Sequence, residues 1–136
     1  MCIVKTNQDA TVKATPKVLL VEDEPLIALD LAYILREVGA EVLGPYPDAA
    51  GAIALLANCR PDAALLDHGL ADGCAGAIAK ALALADVPFA LVTGYWPALF
   101  TEPSFANVPI VEKPYSFDDI RHVLIKLVRG ESGRTA

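Results

Sequence analysis

Four short apolar runs punctuate the chain: Val18-Leu19-Leu20-Val21, Ala63-Ala64-Leu65-Leu66, Phe89-Ala90-Leu91-Val92 and Val108-Pro109-Ile110-Val111. Each is apolar at consecutive rather than alternating positions, which suits a strand buried on both faces of a parallel sheet. From Pro25 to Val38, residues Leu26, Ile27, Ala28, Leu31, Ile34, Leu35 and Val38 recur at three- and four-residue steps, the period of one helix face. Further helices are predicted over 47–57, 73–84 and 116–129. Strand and helix therefore alternate, as in an α/β fold with a doubly wound parallel sheet. Such sheets bind ligands in the crevice beyond the carboxyl ends of the strands, where strand order reverses.

The polar residues that follow the runs fall on that rim. Glu22 and Asp23, with Glu24 next, follow the first run, Asp67 the second, Thr93 the third and Lys113 the last. Carboxylates crowded there cannot neutralise one another and call for a cation. Oxygen ligation by few carboxylates is what Mg²⁺ accepts, because it keeps several waters and completes its octahedron with phosphate oxygens. Beside such an ion, Asp67 can act as a nucleophile on phosphorus and form an acyl phosphate. The Thr93 hydroxyl can donate to one phosphoryl oxygen and the Lys113 ammonium can neutralise another, while Gly94 offers room and a backbone N–H. Pro114 drives Lys113 out of the helical region and leaves it extended across the crevice. Taken singly, the acidic pair before Pro25 is as well explained by helix entry, Thr93-Gly94 by a turn and Lys113-Pro114 by a solvated loop. Their joint order favours a site.

A chain of 136 residues, 54% of them hydrophobic, suffices for one domain with a sizeable core. A net charge of -6 without a basic cluster argues against nucleic acid as a partner. Mean hydropathy is +0.43, yet Lys80, Asp86 and Pro88 interrupt the longest alanine- and leucine-rich stretch. It stays short of the roughly 18 apolar residues of a membrane span, so no membrane insertion is expected. Cys2, Cys59 and Cys74 have no metal-ligand spacing, and the polar residues from Met1 to Thr15 do not form a signal peptide. Free thiols and a cytoplasmic location are expected. Residues 1–16 read as a mobile N-terminal arm, 17–129 as the domain and 130–136 as a C-terminal tail.

The strand from Val18 to Val21 with Glu22-Asp23-Glu24, then Asp67, Thr93-Gly94 and Lys113-Pro114, resembles the bacterial response-regulator receiver domain over Lys17 to Arg129. The intervals of 44, 26 and 20 residues between Asp23, Asp67, Thr93 and Lys113 suit that family. The resemblance implies a flavodoxin-like five-stranded sheet in order 2-1-3-4-5 and phosphotransfer from a sensor histidine kinase to Asp67. It implies Mg²⁺ held by Asp23, Asp67 and the backbone carbonyl of Gly69, with Glu22 assisting through water. Backbone N–H groups of His68 and Gly94 would contact the phosphoryl group beside Thr93 and Lys113. Only seven residues follow Arg129, which suggests a single-domain response regulator of a phosphorelay. Its output would be phosphorylation-dependent binding of a downstream protein or phosphotransfer, and it would be a phosphoacceptor with autophosphatase activity at most rather than an enzyme. The added charge of about two units would draw Thr93 and Lys113 inward and reshape the face formed by residues 95–107, the last strand and the final helix.

Departures from the family pattern are specific. Ile110 stands where most receivers carry the aromatic partner of the switch threonine. The stretch from Pro88 to Tyr95 partly matches a receiver subgroup marked by a Phe-Ala-Thr-Gly-X-Tyr motif, with Leu91 and Val92 replacing its first two residues. Pro97 and Pro103 predict a short or irregular fourth helix between Trp96 and Ala106. A patch of Tyr95, Trp96 and Phe100 could bind a partner or pack in place of that helix. His68 occupies a position usually small or apolar, with consequences for the lifetime of the phosphoryl group. Two rivals remain at this stage. An aspartyl phosphatase would need an acidic residue at position 69, where Gly69 stands. A pseudo-receiver that binds partners without phosphorylation would be expected to lack a site residue, and none is missing.

Overall fold

The computed structural model describes residues 15–70, 75–94 and 103–130. Most of the expected N-terminal arm and C-terminal tail lies outside these residues, as do Tyr95, Trp96, Phe100 and most of the segment assigned to a short fourth helix. The described elements are β1 (Lys17–Val21), α1 (Pro25–Glu37), β2 (Glu41–Tyr46), α2 (Ala49–Asn58), β3 (Ala63–Asp67), α3 (Ala75–Leu84), β4 (Phe89–Thr93), β5 (Ile110–Glu112) and α4 (Phe117–Val128). One 3-10 turn, Pro103–Phe105, precedes β5. The five strands are parallel in the order β2-β1-β3-β4-β5, the flavodoxin-like arrangement, so strand order reverses beside β1 and β3.

β3 and β4 are buried throughout and β1 almost so, because helices cover both sheet faces. Successive side chains point to opposite faces. Leu19, Val21, Leu66 and Leu91 pack with Ile78 and Leu82 on one side. Val18, Leu20, Leu65 and Val92 pack with Leu31, Leu35, Ile120 and Leu124 on the other. Ile120, on α4, is fully buried, whereas Leu29, on α1, is 65% exposed. Ile120→Ala is therefore expected to cost about 2–5 kcal/mol of unfolding free energy, and Leu29→Ala less than about 0.5 kcal/mol. Urea unfolding of both variants checks the difference.

Local chemistry sets where the helices begin. Pro25 occupies the first turn of α1, where its missing N–H costs nothing. Asp48 caps α2 by accepting the Gly51 N–H at 3.0 Å, which moves the helix start past the expected Pro47. Ser116 and Asp119 form a reciprocal capping box on α4.

β2 was not among the apolar runs. It is an edge strand with Glu41, Gly44 and Pro45 exposed, and a proline without an N–H is tolerated there. Gly44 has φ of +107°, and a Cβ would come within 2.8 Å of the Tyr46 nitrogen and 2.9 Å of the Leu20 oxygen. β5 starts at Ile110, later than its apolar run, with Pro109 contributing only its carbonyl, which accepts the Leu91 N–H at 2.9 Å. The expected free thiols are corrected at one position: Cys59, buried just after α2, is disulfide-bonded. Spacing along a chain does not reveal which thiols approach one another.

Candidate functional site

Parallel pairing brings the rim residues together. Glu22 and Asp23 leave β1, Asp67 and Thr93 end β3 and β4, and Lys113 follows β5. Glu22 is fixed by its backbone N–H, which donates to the Tyr46 carbonyl at 2.9 Å, and Lys113 by its N–H to the Thr93 carbonyl at 2.8 Å. The ladder sets Asp67 beside Val92 and Thr93 beside Glu112. Glu22, Asp67 and Thr93 are all buried polar residues.

Carboxylate oxygens of Glu22, Asp23 and Asp67 lie within 4.8 Å of one another. The Lys113 ammonium stands 3.4 Å from Asp67 Oδ1 and 3.8 Å from Glu22 Oε1. Backbone donors complete the set: the Gly69 N–H reaches Asp67 Oδ1 at 3.1 Å and the Glu24 N–H reaches Glu22 Oε2 at 3.0 Å. Among the described residues, Glu22 Oε1 is buried without a hydrogen-bond partner. Three convergent carboxylates facing one ammonium, with a buried oxygen left over, fit a hard divalent cation.

Burial pushes the Glu22 carboxyl up to about 7; the Glu24 N–H opposes the rise, Asp67 adds to it and Lys113 opposes it. An acid with a raised folded pKa keeps its proton in the native state while the unfolded chain has lost it. Glu22 therefore makes stability fall as pH rises from about 4.5 to about 7, with no further change above. Urea unfolding across that window should show a steeper decline for the wild type than for Glu22→Gln.

The remaining rim residues divide. Gly94 is exposed, and among the described residues a Cβ there would meet the Lys113 Cβ at 4.0 Å, an ordinary contact. The His68 N–H donates to the Val92 carbonyl at 3.1 Å, and the backbone donor turned to the Asp67 carboxylate is that of Gly69. The His68 ring is half-buried and meets Phe105 edge-on, with centroids 5.6 Å apart at 78°. Ile110, in the position of the usual switch aromatic, is partly buried against the core face that contains Phe105. A further contact had no signal in the sequence: the Tyr115 hydroxyl donates to Asp30 Oδ2 at 2.8 Å across 85 residues of chain.

No family model matches the chain. Among curated proteins, the phyllosphere-induced regulator PhyR of Methylorubrum extorquens is 31% identical over 115 residues, 79% of this chain and 42% of that protein. The chain thus spans less than half the length of the curated relatives it matches. SdrG from Sphingomonas melonis is 34% identical, with 86% of this chain and 99% of that one covered at a TM-score of 0.72. The receiver domain of the PhyR response regulator from Erythrobacter litoralis is 29% identical, covering 90% and 97% at a TM-score of 0.74. A receiver domain of the sensor histidine kinase PA1611 from Pseudomonas aeruginosa, solved with magnesium in its active-site cleft, is 23% identical over 85% and 99% and shares the fold at a TM-score of 0.73. Among the described residues no helix is long and apolar enough to cross a membrane.

Proposed function

The chain belongs to the response-regulator receiver domains, and from that premise we propose that it accepts a phosphoryl group on Asp67 from a sensor histidine kinase. The convergence of Glu22, Asp23 and Asp67 within 4.8 Å, with Lys113 3.4 Å from Asp67, carries this reading. A carboxylate oxygen of Asp67 forms the bond to phosphorus as the bond from phosphorus to the donor nitrogen breaks, its electron pair leaving with the imidazole. Lys113 and the Thr93 hydroxyl meet charge on the phosphoryl oxygens, and Gly94, exposed and without a side chain, leaves room beside them. The Gly69 N–H, turned toward the carboxylate, orients Asp67.

Asp23, Asp67 and the Gly69 carbonyl would hold Mg²⁺, with Glu22 supporting through water. When bound, the ion supplies charge neutralisation to the carboxylates and the transferred phosphoryl. The magnesium of the PA1611 receiver and the donor chemistry of the cluster support that assignment. The module is 17–129, working in the cytoplasm, and its output is a changed surface read by a downstream protein or a phosphotransfer protein. Ile110 favours one second reading, a pseudo-receiver that recruits partners without being phosphorylated.

Hydroxylamine mapping separates these. After incubation with acetyl phosphate and Mg²⁺, hydroxylamine should convert the labelled residue to a hydroxamate in the peptide that carries Asp67. A hydroxamate elsewhere, or none, would overturn the assignment.

A further inference from the structure

The segment from β5 to α4 is pinned at both ends. Lys113 is held by its N–H on Thr93, and Ser116 by the capping box. Pro114 between them has no N–H to contribute. Tyr115 is the remaining residue, and its ring packs against the core beneath α1 and α4 while its hydroxyl reaches Asp30 on α1 at 2.8 Å. α1 in turn starts directly behind the acidic segment, where the Glu24 carbonyl accepts the Ala28 N–H at 2.8 Å. The Tyr115–Asp30 bond therefore ties the lysine-bearing loop to the helix that directly follows the acidic segment. Burial, and then the Asp30 hydrogen bond and charge, raise the Tyr115 hydroxyl above its ordinary range, which keeps it a donor.

We infer that Tyr115, anchored on Asp30, is a positioning residue for Lys113, setting the reach of its ammonium to Asp67. The inference rests on the phosphoacceptor reading above. An ångström of displacement at a reacting centre can cost orders of magnitude in rate, so a single lost tether here should be visible.

The test measures the initial rate of Asp67 labelling from acetyl phosphate at saturating Mg²⁺, Mg²⁺ affinity, and the ε-methylene NMR resonance of Lys113. Tyr115→Phe and Asp30→Ala should each slow labelling about tenfold and shift the Lys113 resonance, while Mg²⁺ affinity stays within twofold. The double variant should be no slower than either single one. Asp30→Asn, which still offers an acceptor oxygen, should restore most of the rate and the resonance. Rates within twofold of wild type in both single variants, or a Lys113 resonance that does not move, would overturn the inference. A wild-type protein that takes no label would sink the phosphoacceptor reading instead, and the Lys113 resonance alone would then decide whether Tyr115 positions it.

Discussion

Asp67→Asn is expected to abolish phosphoryl transfer while leaving the fold intact. The asparagine keeps an oxygen where Oδ1 accepts the Gly69 N–H at 3.1 Å, so the local backbone retains its partner. It loses the charged nucleophile, and loss of a sole nucleophile lowers the rate by on the order of 10³-fold or more. A second consequence concerns the neighbour. Asp67 is one cause of the raised Glu22 pKa, so the Glu22 titration should move down from about 7 in the variant. Labelling by acetyl phosphate and a carboxyl-resolved NMR titration check both outcomes. Unchanged labelling would place the acceptor elsewhere.

Lys113→Ala carries the next largest effect. Its ammonium lies within 4 Å of Asp67 and Glu22, two buried carboxylates, and is itself 26% exposed. Removing one preorganised donor to developing charge lowers transfer by on the order of 10²–10³-fold. It also leaves the carboxylates short of a cation, at a cost of about 1–3 kcal/mol above pH 7. Below pH 7 the cost should shrink, because Glu22 then retains its proton. Urea unfolding at pH 5.5 and pH 8 separates the two regimes, and equal losses at both would argue against the charge account.

What could be read in the sequence follows from physical locality. β1, β3 and β4 announce themselves as consecutive apolar residues because both their faces are covered. The rim residues could be found because each sits at a strand end, where chain order fixes position along the sheet. β2 was hidden because an edge strand needs few apolar residues, and its exposed Gly44 and Pro45, at the register shift against β1, interrupt any apolar run. Pairings between distant segments were equally hidden. Neither the commitment of the His68 N–H to Val92 nor the Tyr115–Asp30 bond has a signature in spacing, since both depend on how separate elements approach. The disulfide at Cys59 belongs to the same class.

The central claim is that the crowded carboxylates form a metal-dependent phosphoacceptor, and intact mass tests it most directly. The wild-type chain, incubated with acetyl phosphate, should gain a labile increment of about 80 Da with Mg²⁺ and none with a chelator. An increment of equal size in chelator would contradict the metal role. No increment with Mg²⁺, together with failure to bind beryllofluoride, would contradict the phosphoacceptor itself.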